Sequence, residues 1–123
     1  MPFQDDRHVF IFNGELRGVR ISEEGRIGAE KIFNFIKRFD RGNMFEALKR
    51  GIEVIGNRTA YVRAMNIIMA DTDNIYVASI FNEDPDYFSM HFTRDGGKLV
   101  IASEVLPGMQ RSEKIDSGTI RLM

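Results

Sequence analysis

The chain has 123 residues, of which 43% are apolar and 28% are charged, and its net charge is -1. These values predict one soluble globular domain over residues 1–123 and exclude strong electrostatic attraction to nucleic acid or to an acidic membrane. The sequence has no cysteine, no apolar run near the roughly 20 residues of a membrane span and no secretion-signal pattern, which predicts a cytoplasmic protein without disulfides or a thiolate nucleophile.

The first half of the chain predicts strands followed by two helices. Residues 8–12 form a continuous apolar run typical of a buried strand, and residues 17–22 form a second strand. Apolar residues at helical spacing predict a helix over 28–39. Asn43, with Glu46 three positions later, has the pattern of a capping box that begins a second helix.

From residue 60 the apolar period changes to two, which predicts an antiparallel meander. Clusters of Asp, Asn, Gly and Pro separate the apolar segments and supply the turns. The predicted strands cover 61–70, 75–81, 87–93, 98–103 and about 118–122. This order of elements predicts an α+β fold in which both helices lie on one face of an antiparallel sheet.

The dipeptide Asn13-Gly14 has two interpretations. Asn-Gly between apolar runs is the strongest short-range signal for a tight hairpin turn, because both residues tolerate a positive φ. The same dipeptide also offers two hydrogen-bond donors, the Asn amide and the Gly N–H, that could stabilise an oxyanion. The two interpretations are compatible.

Several short motifs, in this order and spacing, resemble the latter half of a class II glutamine amidotransferase domain. Each motif is weak alone, and their common order along nearly the whole chain carries the resemblance. The motifs are Met1-Pro-Phe3, FIFNGEL around 12–14, Glu30-Lys-Ile-Phe33, YVRAMNIIMADTDNIYVAS, VIASEVL with Ser-Glu-Val-Leu at 103–106, and Gly118-Thr119. The resemblance implies part of the four-layer αββα fold of N-terminal-nucleophile hydrolases.

The resemblance also implies which functional residues are present. Asn13 and Gly14 match the oxyanion-hole pair of the family, whereas Phe12 replaces its histidine. The substrate-binding positions correspond to Gly28, where the family has an aspartate that holds the α-ammonium, and to Glu30, which matches. Glu30 is equally well explained as a first-turn carboxylate that is favourable to the helix dipole. The cysteine nucleophile of the family has no counterpart in the sequence.

These observations leave three functions open. The chain is a partial or degenerate amidotransferase-like domain that is not catalytic alone, and it could be one subunit of a split glutamine-hydrolysing enzyme. Alternatively, it is a non-catalytic binding or assembly module that retains the fold. A remote alternative is a proton-transfer enzyme that uses the amine of Pro2 after removal of Met1.

The resemblance implies that the family's strands that bear the cysteine are absent from this sequence, and the predicted partners follow from their absence. We expect either a homodimer that packs sheet against sheet or a complex with a second polypeptide that bears the cysteine, and glutamine or a related small amide as ligand. We expect no cofactor and no metal. His8 is predicted to be a satisfied core histidine, and the Asp71–Asn74 segment to be a plain turn instead of a calcium loop, because the required Gly and Glu do not follow.

Overall fold

A computed structural model of the chain describes residues 3–21, 28–95, 97–105, 107 and 112–123. The described elements, in chain order, are β1 (Phe3–Gln4), β2 (Val9–Val19), α1 (Gly28–Lys37), α2 (Met44–Asn57), β3 (Thr59–Ala70), β4 (Ile75–Phe81), α3 (Pro85–Phe88), β5 (Met90–Asp95), β6 (Lys98–Ala102), β7 (Glu113–Ile115) and β8 (Thr119–Leu122). No helix in these ranges is both long and apolar enough to cross a bilayer.

The strands form two antiparallel sheets. The large sheet has five strands in the order β1-β2-β3-β4-β8, and the small sheet has three in the order β6-β5-β7. Helices α1 and α2 cover one face of the large sheet, and the small sheet packs on its other face. The predicted α+β class, with two helices on one face of an antiparallel sheet, is therefore confirmed.

The two long helices follow the predicted pattern. In α1 the buried side chains Ile32, Phe33 and Ile36 recur at helical spacing, so one stripe of the helix faces the sheet. Helix α2 begins after Asn43, whose Oδ1 accepts a hydrogen bond of 3.1 Å from Glu46 N. This bond satisfies one of the amides that a helix start leaves free, as the sequence predicted.

The predicted hairpin turn at Asn13-Gly14 is wrong. Strand β2 runs through both residues, with Asn13 opposite Asn66 and Gly14 opposite Met65 in β3. The predicted strands 8–12 and 17–22 are thus one long strand. A twelve-residue partner in β3 supplies a continuous ladder for β2, and backbone pairing with burial outweighs the local turn preference.

The main core lies between the helices and the large sheet. Phe10 of β2 stacks on Phe33 of α1, with ring centroids 4.8 Å apart, and both side chains are buried. Met65, Ile67 and Met69 of β3 face the same core. The helices therefore cover this face of β3 within one chain.

A second, smaller core lies between the two sheets. Its buried members are Val77, Met90, Phe92 and Ile115. The predicted strand 87–93 begins only at Met90 because residues 85–88 form the short helix α3, whose first position suits a proline. After α3 the chain leaves the large sheet, builds the small sheet and returns as β8 beside β4. The strands β1 and β7 were not predicted.

Candidate functional site between the two sheets

Alternation along β2 places Asn13 on the face of the large sheet that the small sheet covers. Successive side chains of a strand point to opposite faces, and Phe10 and Phe12 face the helices. A cavity of about 210 Å³ lies between the sheets at Asn13. It is lined by Ile11, Asn13, Asn66, Ile68, Phe88, Met90, Ile101, Ala102 and Ser103.

This cavity brings two of the sequence motifs together. Asn13 belongs to the Phe-Asn-Gly motif of β2, and Ser103 is the first residue of the Ser-Glu-Val-Leu motif after β6. The two residues are 90 positions apart in the chain, and the packing of the small sheet on the large sheet makes both of them line one space. A mainly apolar cavity with a few polar groups has the general form of a small-ligand site.

Asn66, the cross-strand neighbour of Asn13, differs from it in burial and in hydrogen bonding. Asn66 is 3% exposed, donates from Nδ2 to Phe88 O at 2.6 Å and accepts from Ile80 N at 3.2 Å. Its carboxamide is committed to holding α3 and β4 against β3. The exposed carboxamide of Asn13 has no hydrogen-bond partner in the part of the chain that the structure describes, so it is the amide that a ligand could use.

Two further polar residues lie close to this site and were missed by the sequence analysis. Ser79 is paired with Asn66 in the β3–β4 ladder, so the polar row Asn13–Asn66–Ser79 crosses three strands on the small-sheet side. Ser79 and Ser89 are buried, and neither hydroxyl has a hydrogen-bond partner among the described residues. The signal for Asn66 and Ser79 was a single polar residue inside an otherwise apolar strand.

The other predicted site residues lie on the opposite face of the large sheet. Gly14 and Gly28 line a second cavity of about 290 Å³ between β2 and α1, together with the side chains of Lys31 and Ile32. Gly28 starts α1, and Glu30 lies in the first turn of that helix but lines neither of these two cavities. The structure thus separates Asn13 from the predicted substrate-binding pair. Pro2 lies outside the described residues.

A larger cleft of about 580 Å³ lies at the end of the large sheet where β3 turns into β4. His8 lines it, is 8% exposed and contacts Asp5 Oδ1 through Nδ1 at 3.2 Å, as expected for a satisfied core histidine. Asp71 Oδ1 accepts from Asp73 N and Asn74 N, at 2.8 and 2.6 Å, and its Oδ2 from Tyr76 OH at 3.0 Å.

These hydrogen bonds to the Asp71 carboxylate stabilise the predicted turn between β3 and β4. Although burial raises the pKa of Asp71, the hydrogen bonds lower it below its usual range. Within the described ranges, no group of three or more His, Asp or Glu side chains is placed to hold a metal ion. The Asp71–Asn74 segment is a structural turn, because Asp73 N and Asn74 N both donate to the Asp71 carboxylate.

The architecture resembles that of two solved proteins. A glutamine aminotransferase class-II domain protein from Silicibacter pomeroyi superposes with a TM-score of 0.77 at 17% identity, over 99% of this chain and 66% of that one. The fold of this chain is therefore similar to part of a solved glutamine aminotransferase class-II domain protein. A predicted glutamine amidotransferase from Pseudomonas aeruginosa PA01 gives a TM-score of 0.69 at 16% identity, over 99% of this chain and 61% of that one.

The match covers only part of each solved protein. The chain spans less than two thirds of the length of either solved protein, although almost all of it is matched. No protein-family model and no curated protein sequence matches the chain. Because the identities are so low, the likeness concerns the arrangement of helices and sheets and not the reacting groups.

Proposed function

We propose that this chain is a partial glutamine amidotransferase-type domain that binds a carboxamide at Asn13 and does not hydrolyse glutamine alone. The observation that carries the proposal is the inter-sheet cavity, in which Asn13 and Ser103 from two separate motifs meet. The amidotransferase-type fold around this cavity supports the same proposal.

The residues around the cavity suit binding better than catalysis. Hydrolysis of glutamine requires a nucleophile to attack the side-chain carbonyl carbon, ammonia to leave, and water to release glutamate from the acyl intermediate. Asn13 Nδ2 can donate to the carbonyl oxygen on which negative charge develops. The described residues that line the cavity include no His, Asp, Glu or Lys that could act there as a base for the Ser103 hydroxyl.

A thiolate nucleophile would have to come from outside these 123 residues, since they contain no cysteine. A second polypeptide that brings a cysteine to the Asn13 cavity would complete a split enzyme. In that arrangement this chain supplies the hydrogen-bond donor Asn13 Nδ2, and the partner supplies the thiolate and the group that binds the α-ammonium.

A non-catalytic binding module is the second candidate, and Gly28 favours it. Gly28 is an exposed first residue of α1 with no atom within 4 Å of the position a Cβ would take, and it carries no charge for an α-ammonium. Gly28 also lies on the helix side of the large sheet, away from Asn13. A module of this kind would recognise the carboxamide alone and would not distinguish glutamine from propionamide.

The experiment is an NMR titration of the isolated protein with glutamine and, separately, with propionamide. We expect amide shifts at residues 13, 66 and 103, and Asn13→Ala should weaken binding roughly 3- to 10-fold, the value of one hydrogen bond. Asn57→Ala, an exposed residue at the end of α2, is the matched control and should bind as the unmodified chain does.

Ammonia release from glutamine is measured on the same samples. We expect none above the buffer value, and release that persists through further purification would contradict the non-catalytic proposal. Shifts confined to the cleft beside His8, or equal binding by Asn13→Ala, would remove Asn13 from the site. The isolated chain should bind glutamine and propionamide with equal affinity in both candidates, and a clear preference for glutamine would show that this chain itself carries a site for the α-ammonium.

A further inference from the structure

The two sheets differ in width, and the difference exposes part of one face. The large sheet has five strands and the small sheet three. The small sheet covers β3 and β4, since Ile68 and Val77 belong to the core between the sheets. Neighbouring strands are about 4.8 Å apart, so the small sheet reaches only the border of β2 and is too narrow to cover all of β2 and β1 as well.

The uncovered strip is apolar. Val9 and Ile11 of β2 are both 40% exposed, and alternation places them on the same face as Asn13. Ile11 already lines the inter-sheet cavity together with Ile101 and Ala102 of β6. The strip therefore continues directly from the cavity, at the side where β6 ends the small sheet.

Among the described residues, strand β6 pairs with β5 and with no other strand, so its other edge is free at that side. Alternate N–H and C=O groups of this edge point towards the space above Val9 and Ile11. An added strand would receive hydrogen bonds from β6 and bury two apolar side chains beneath it. Such strand addition is a common mode of peptide recognition.

We propose that an extended strand of a second polypeptide adds to the free edge of β6 and covers Val9 and Ile11. Its inward residues are apolar at alternate positions, because they meet Val9 and Ile11. An acidic residue opposite Lys98, which is exposed at the start of β6, would add a favourable cross-strand pair. The inference extends the proposed function, in that this strand would enter beside Asn13, but strand addition does not depend on any chemistry there.

A second copy of this chain does not fit the same edge. Antiparallel pairing of two identical β6 strands requires a two-fold axis normal to the small sheet, which places both large sheets on the same side. Each large sheet extends beyond its own β6 by β2 and β1, so the two would occupy the same space. The homodimer expected from the sequence would have to use another surface.

The test uses a synthetic nine-residue peptide that alternates valine with threonine and has a terminal glutamate. Titrated into the labelled protein, it should shift the amides of 98–102 and the methyl groups of Val9 and Ile11. A peptide with N-methyl groups on alternate residues of the pairing edge keeps the side chains but lacks those donors, and it should produce no shifts.

Two protein variants complete the test. The double variant V9T/I11T keeps the β-branched shape but removes apolar surface, and it should weaken peptide binding roughly tenfold. V19T is the matched control, because Val19 lies on the same strand with the same 40% exposure but lines the cavity on the helix side; it should leave binding unchanged.

The proposal is overturned by the absence of shifts, by shifts at β7 or β1 with β6 unaffected, or by equal binding of the N-methylated peptide. It is also overturned if the protein alone dimerises with its β6 amides protected from exchange. Failure of glutamine binding at Asn13, with peptide docking intact, would reject the proposed function and leave this docking surface in place.

Discussion

At the scale of single residues, the space around position 14 admits only a glycine without strain. A Cβ built on Gly14 would lie 2.2 Å from Ala64 O and 2.7 Å from Ala64 C, both backbone atoms of β3. The register of β2 with β3 shifts between Glu15 and Leu16, which leaves Arg63 without an opposite residue. Such a bulge bends its strand locally, and Gly14 lies beside it. Close backbone approach explains this glycine without any role in chemistry.

Gly14→Ala should therefore lower the free energy of unfolding by about 1–3 kcal/mol, the usual cost of overpacking against atoms that cannot move aside. Gly28→Ala is the control, since no atom lies within 4 Å of its Cβ position, and it should be neutral or slightly stabilising. Urea denaturation of both variants measures the difference. Equal stability of the two variants would show that β3 can shift at no cost.

At the scale of elements, Asp5 connects the β1–β2 turn to helix α1. Its carboxylate accepts from Arg7 N at 2.8 Å and His8 N at 2.7 Å, and it pairs with Lys37 Nζ at 3.2 Å. Although partial burial raises the pKa of Asp5, these backbone bonds and the Lys37 ammonium lower it to about 2. The first strand and the end of α1 are thus joined by one ionised side chain.

This contact predicts a loss of stability in acid. A carboxyl group whose pKa is lower in the folded than in the unfolded state stabilises the fold above its unfolded pKa, and the contribution disappears as pH falls through the folded value. For Asp5 the window runs from roughly pH 4 down to about 2. After a discount for solvent exposure, the contribution is about 1–2 kcal/mol.

Asp5→Asn should therefore be less stable than the unmodified chain at pH 7 and should approach it near pH 2, as measured by thermal unfolding across that range. Part of the acid dependence should remain, because the pKa of Asp71 is also lowered. Asp6→Asn, at the exposed neighbouring position, should follow the unmodified chain throughout. A constant stability difference between Asp5→Asn and the unmodified chain would show that Asp5 acts without its charge.

At the scale of the whole molecule, the described residues form two cores of unequal size. Fifteen buried residues join the helices to the large sheet, whereas four join the two sheets. Regions with little buried apolar surface open at a lower free energy than the whole protein. We therefore expect the small sheet to open while the helices and the large sheet remain folded.

Native-state hydrogen exchange tests this expectation with two core variants. Val77→Ala, in the small core, should lower the protection of the small sheet, with a cost of roughly 2 kcal/mol. Leu48→Ala, in the large core, should lower the protection of β3. It should leave the opening of the small sheet unchanged, because the large core is folded both before and after the small sheet opens. If Leu48→Ala lowers protection equally everywhere, the molecule unfolds as one unit.

Several elements depended on local signals and could be predicted from the sequence. Helix α2 has its cap at Asn43 and its apolar stripe within one segment, and the alternating strands β4 and β6 carry their pattern in five to seven residues. The prediction of the α+β class and the resemblance to an amidotransferase fold both depended on the order of such local signals along the chain. Short-range chemistry decides them, because their hydrogen bonds and apolar faces involve neighbours in the chain.

The division into two sheets, the continuity of β2 and the meeting of Asn13 with Ser103 were decided only by tertiary structure. A meander of alternating strands is compatible with one sheet or two, because the pattern shows which residues are buried and not what covers them. Asn13-Gly14 favours a turn locally, yet β3 supplies a partner for every part of β2. Burial and pairing between residues distant in sequence outweighed this local preference, and the same packing created the cavity at Asn13.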